Sequence, residues 1–138
     1  MNSSQATPEV RWQQRFSNYK NALARLSKFL KKKKLNELEE QGLIQAFEYT
    51  FEFAWKTLQD LLQAKGYLNI KGPNPTIMQS FQDGYISDGP GWAQMRQSRN
   101  TVSHVYDESA TKEIAILIRS KYCQLFTDLQ TRLEKEEK

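Results

Sequence analysis

One cysteine and one histidine are all that this 138-residue chain offers of the residues that usually build disulfides and zinc sites. Cys123 has no partner for an internal disulfide, and with His104 alone no conventional Cys/His zinc set can be assembled, so neither a metal nor another cofactor is expected. Cys123 itself reads as a small buried apolar residue rather than a reactive thiol. No apolar run is long enough to span a bilayer, and the opening "MNSSQATPEV" lacks the basic start and continuous apolar stretch of a signal peptide. A cytoplasmic location without a membrane partner follows as the expectation. Strand signals are missing as well, since no Val/Ile/Thr-rich segment competes with the helical pattern described below.

What the chain does have is length, charge and periodicity. A hydrophobic fraction of 38% over 138 residues suits one globular domain with its own core, here taken as residues 1–138 with 1–8 and 136–138 as flexible ends. The net charge of +4 is unevenly spread, with "KKKK" from Lys31 to Lys34 as its one basic block. Such a block marks a solvated turn or, alternatively, a phosphate contact.

Four long segments and one short one carry the three- and four-residue spacing of amphipathic helices. Trp12, Phe16, Tyr19, Leu23, Leu26 and Leu30 form the first stripe. The second helix opens at Asn36, with Glu39 three positions on as in a capping box, and closes at "AKGY", where Gly66 can take a left-handed conformation. Ile44, Phe47, Phe51, Ala54, Trp55, Leu58 and Leu62 hold its inner face. Its "FEYTFEFAW" alternates like a strand, but the alternation lasts about two turns inside the run 43–65, which has no Gly or Pro, so helix is the better assignment. Tyr49 and Phe53 then fall off the main stripe, to pack on a neighbouring element or on a second chain. After "GYLNIKGPNP" a short helix carries Pro75 in its first turn with Ile77 and Phe81 inward. Asp88 can cap the next helix, which runs from about Gly91 through Val105, and the last runs from about Ser109 to Lys135. The economical architecture is all-α: an antiparallel up-and-down bundle of four long helices plus a short one.

The lone histidine lies at the end of the fourth helical segment in this order, in "SRNTVSHVYDE". On a helical wheel Met95, Val102 and Val105 share one side, with Trp92 at its margin. Arg96, Asn100 and Ser103 share the other, Arg99 sits at the border and His104 lies beyond Asn100. An arginine fork matches phosphate geometry and an imidazole moves protons near neutral pH. The set therefore suits metal-free phosphodiester cleavage, with His104 as general base or acid and Arg99 stabilising charge on phosphorus-bound oxygens. A plain solvated face would carry the same residues. Arg99 and His104 stand about 140° apart on a continuous helix, so they converge only if the helix ends at His104 or if a second chain completes the set.

"RNTVSH" resembles the arginine, polar residue, histidine signature of the HEPN superfamily, with Asn100 in the polar position. Extended to "RNTVSHVY", it is similar to the form found in HEPN proteins paired with minimal nucleotidyltransferases, and "FEFAWKTLQDLL" resembles the second-helix motif of the nucleotidyltransferase substrate-binding subgroup. The resemblance covers nearly the whole chain. It implies a HEPN-like bundle that forms a homodimer and pairs with a small nucleotidyltransferase. It also implies either of two activities. In one, Arg99, Asn100 and His104 are the catalytic triplet of a metal-independent ribonuclease toxin, and the partner silences the toxin by transferring AMP to Tyr106; Arg96 and Ser103, from the polar strip of the wheel, are expected to bind substrate. In the other, the chain is a non-catalytic subunit that binds a nucleotide or other substrate for the nucleotidyltransferase.

Overall fold

A computed structural model describes residues 6–104 and 107–137, apart from the side chain of His104. The elements are α1 (Pro8–Leu30), α2 (Glu37–Ala64), a short α3 (Pro73–Gln82), α4 (Gly89–His104), α5 (Glu108–Leu117), a π-helical turn (Ile118–Tyr122) and α6 (Cys123–Glu134). With α5, the π turn and α6 running on as one long helical segment, this is the all-α bundle of four long helices plus a short one that the periodicity implies.

Contacts across the bundle fix the directions of its helices. Near the start of α1, Arg15 pairs with Asp60 late in α2, whereas Lys32 just past the end of α1 pairs with Glu39 early in α2. These two helices are therefore antiparallel. They pack closely, since a Cβ at Gly42 of α2 would stand 2.8 Å from the ring of Phe29 on α1. In the same way α4 runs against α2, with Ser103 bonded to Glu48 and Arg99 to Glu52. It also runs against the last segment, where Lys121 reaches Gln94 and Trp92 packs on Phe126.

Phe126 is fully buried and draws one aromatic from each of the other three long helices. Tyr19 of α1 and Phe47 of α2 lie 6.2 and 6.1 Å from it, and Trp92 of α4 meets it edge-on at 5.9 Å. The Tyr19 hydroxyl donates to the Phe126 carbonyl at 2.6 Å, which satisfies the one polar atom of a buried ring whose ionisation burial strongly opposes.

Local signals set the boundaries of α2. The Asn36 side chain accepts from the Glu39 amide at 2.8 Å and the Glu39 carboxylate accepts from the Asn36 amide at 2.8 Å, completing the capping box. At the other end Gly66 has φ +106°, and Tyr67 and Gly66 donate to the carbonyls of Leu62 and Gln63, both at 3.0 Å. This is the paired-bond C-terminal cap that a left-handed glycine permits. Replacing Asn36 by Ala removes the acceptor for the Glu39 amide and is expected to cost about 1 kcal/mol. A thermal melt should show a midpoint lower by about 3–5 °C, and an unchanged midpoint would mean that water replaces the cap.

In several places tertiary packing departs from the pattern. Phe81, expected inward, is 47% exposed, while Thr76, Ile77 and Ser80 form the buried face of α3. In so short a helix a rotation of under one turn selects which apolar residue is buried. Trp55 is half-buried, and its indole N–H donates to Glu52 at 3.2 Å instead of entering the core. Cys123 is also only half-buried, although burial still raises its thiol pKa above the usual value. The π turn has no counterpart in the periodicity. It brings both Ile118 and Tyr122 to zero exposure, and the Tyr122 hydroxyl lies 2.6 Å from Ser98 of α4. Lys31 to Lys34 form the exposed turn between α1 and α2, as a solvated basic block should.

Candidate functional site

Helix α4 begins where the Asp88 carboxylate accepts from the Gly91 amide at 2.9 Å, the cap expected of that residue. Its inward stripe is Trp92, Met95 and Ser98, all buried, followed by the half-buried Val102. Ser98 is a polar member of this stripe, satisfied by its bond to Tyr122. On the flank, Arg96, Arg99 and Asn100 are half-buried and Ser103 is exposed.

That flank faces α2, and α2 answers it with acid. The Arg99 Nη2 lies 2.8 Å from Glu52 Oε2, with about 30% of each side chain exposed, while its Nη1 donates to Asn100 Oδ1 at 3.3 Å. Ser103 donates to Glu48 Oε2 at 2.7 Å. Glu52 has two further partners, the Trp55 indole N–H on the same Oε2 and Lys56 Nζ at 3.4 Å from Oε1. Of the residues singled out from sequence, the structure thus brings Arg99, Asn100 and Ser103 together with a carboxylate lattice on the next helix. Arg96 stands one turn before Arg99 and has no acceptor among the described residues.

The carboxylates Glu48 and Glu52 and the ammonium of Lys56 were missed in the sequence. A signal for them exists: they are the charged residues between Leu43 and Gln59, and their four-residue spacing marks one ridge of the helix surface. What the spacing withholds is which other helix that ridge meets.

Two donors on the flank are left over. Arg96 Nε and Arg99 Nε are both buried without a hydrogen-bond partner among the described residues. A buried donor with no acceptor costs about 1–3 kcal/mol. A bound phosphate oxygen would supply the missing acceptor. The described part of α4 runs as far as His104. The His104 side chain and Tyr106, the expected proton-transfer and modification residues, lie outside the described residues.

Other surfaces lie away from this flank. Tyr49, 54% exposed, and the half-buried Phe53 line a groove of about 230 Å³ whose opposite wall is Asn18, Asn21, Ala22 and Arg25 of α1. The off-stripe aromatics of α2 thus lean towards a neighbouring helix and still leave one ring in solvent. Among the described residues no cluster of His, Cys, Asp and Glu is suited to hold a metal, and no helix is long and apolar enough to cross a membrane.

A family profile described as "Nucleotidyltransferase substrate binding protein like" matches residues 14–135. Among solved structures, that of ttk003001694 from Thermus thermophilus is similar with a TM-score of 0.76 and 29% identity, covering 83% of this chain and 98% of that one. HI0074 from Haemophilus influenzae, whose structure is described as revealing the fold of a substrate binding domain of a nucleotidyltransferase, has a TM-score of 0.63 at 20% identity. It covers 89% of this chain and 96% of its own, and at that identity the likeness is one of fold. No curated protein matches the sequence.

Proposed function

Because the chain belongs to the nucleotidyltransferase substrate-binding-protein-like family, we propose that it is a cytoplasmic binding subunit for a small nucleotidyltransferase. Its α4 flank holds the phosphate of a nucleotide for that enzyme. Arg96 and Arg99 supply the guanidinium donors, Asn100 and Ser103 add an amide and a hydroxyl, and the chain itself makes or breaks no bond. The observation that carries this reading is the pair of buried Nε donors on one helix flank that have no partner among the described residues. Two copies pair about a two-fold axis, with the exposed Tyr49 and its groove as part of the joining surface.

A second reading is favoured by Arg99 and Asn100 standing side by side on α4, with Arg99 Nη1 donating to Asn100 Oδ1 at 3.3 Å. There the imidazole takes the proton of an RNA 2′-hydroxyl, the 2′-oxygen attacks the adjacent phosphorus, and the 5′-oxygen leaves, giving a 2′,3′-cyclic phosphate. Arg99 and Asn100 steady the phosphorus-bound oxygens, and AMP transfer to Tyr106 would block the cleft. DNA has no 2′-hydroxyl and is spared.

One experiment separates the two. The purified chain, with and without the nucleotidyltransferase and always in EDTA, is titrated with ATP by calorimetry and incubated with RNA. Binding of ATP without RNA cleavage is the expected result. Cleavage that disappears in His104→Ala would establish the ribonuclease instead, and neither binding nor cleavage would leave only a helical scaffold.

A further inference from the structure

The Arg99–Glu52 pair differs from Arg15–Asp60, the pair with the most deeply buried carboxylate among the described residues. Asp60 is nearly buried, with 5% of its side chain exposed, and Arg15 is its one salt-bridge partner among the described residues. Loss of Arg15 would strand that carboxylate. Glu52 is not in this position. Its Oε2 accepts from Arg99 at 2.8 Å and also from Trp55 Nε1 at 3.2 Å, while its Oε1 faces Lys56 at 3.4 Å. If Arg99 turns away, both carboxylate oxygens keep a partner. The pair is also about 30% exposed on both sides, so water and salt already screen it. Arg99 in turn holds Glu52 through Nη2 and Asn100 through Nη1, while its Nε has no acceptor among the described residues. Its guanidinium is thus held by Glu52 where an anion would bind, with one donor still unused.

We propose that Glu52 is a built-in stand-in for the phosphate of the ligand: the incoming phosphate takes over Arg99, and Glu52 is retained by Trp55 and Lys56. Resting on the binding function set out above, this makes Glu52 a specificity residue. A singly charged anion gains little by exchanging with a carboxylate, whereas a phosphate carrying more charge and more acceptor oxygens reaches both guanidinium groups. Lys56 is a positioning residue that acts through Glu52 by giving it somewhere to go.

The test is calorimetric titration of the full chain with ATP in EDTA, with thermal melts to confirm folding. Glu52→Gln keeps the shape and an acceptor for Trp55 while removing the competing charge, and should tighten ATP binding about tenfold. Lys56→Gln should weaken binding in the wild-type background, yet change it by less than about twofold when added to Glu52→Gln, as expected of a residue acting through another. If Glu52→Gln leaves affinity unchanged or lowers it while the wild type binds ATP, the inference is overturned and the binding function stands. A Lys56 effect that persists in the Glu52→Gln background would overturn the positioning role, because Lys56 would then touch the ligand itself. Binding by Glu52→Gln with none by the wild type supports the stand-in in its strongest form. Absence of binding by both sinks this inference and the binding function together.

Discussion

Phe126→Ala is expected to destabilise the protein by about 3–5 kcal/mol, the range for emptying a buried aromatic site. The melting midpoint should fall by about 10–20 °C in a chain of this size. The size of the effect follows from position. The ring is fully buried and is the common neighbour of Tyr19, Phe47 and Trp92, so the cavity would open between all four long helices. No one of them can move in to fill it without losing its own contacts on the opposite side, and close-packed interiors relax only partly. Phe81→Ala is the matched control. That ring is 47% exposed on α3, and its loss should cost about 0.5 kcal/mol. Similar losses for the two variants in denaturant titrations would show that the helices do not converge on Phe126.

Replacing both Arg96 and Arg99 by Ala should weaken ATP binding about 100-fold, because two charge-assisted contacts are removed and each is worth about 1.5–3 kcal/mol before non-additivity is allowed for. Stability should change by less than about 1 kcal/mol, since exposed and half-exposed pairs contribute little. The geometry gives a specific reason for that tolerance: Glu52 keeps Trp55 and Lys56 when Arg99 is gone. A large fall in affinity with an unchanged melt therefore locates the ligand on the α4 flank. Wild-type affinity in the double variant would remove the flank from consideration, and a collapsed melt would show that the arginines are structural.

Most of the fold could be read along the chain because its signals are local. The Asn36–Glu39 box and the left-handed Gly66 are made by residues close together in the chain, and the Trp12 to Leu26 stripe needs only the helical period. Even the strand-like "FEYTFEFAW" resolves to helix, because the apolar spacing continues on both sides of it. The reading erred where burial depends on how one element is rotated against the rest, as at Phe81 and Trp55. It also did not find the π turn at Ile118–Tyr122, where one extra residue in the turn brings Tyr122 onto Ser98.

The candidate site divides along the same line. By itself the sequence determined that Arg96, Asn100 and Ser103 share one flank of a helix, with Arg99 at its border, because the order of residues and a period of 3.6 place them there. Only the tertiary structure decided what that flank meets. Arg99 finds Glu52 47 positions earlier, and Ser103 finds Glu48 55 positions earlier. Those pairings follow from the antiparallel register of α4 against α2, which also brings Trp92 onto Phe51 in the core and is encoded in no short stretch of either helix. The arginine of the motif thereby becomes one half of an ion pair whose carboxylate also contacts Trp55 and Lys56 of its own helix.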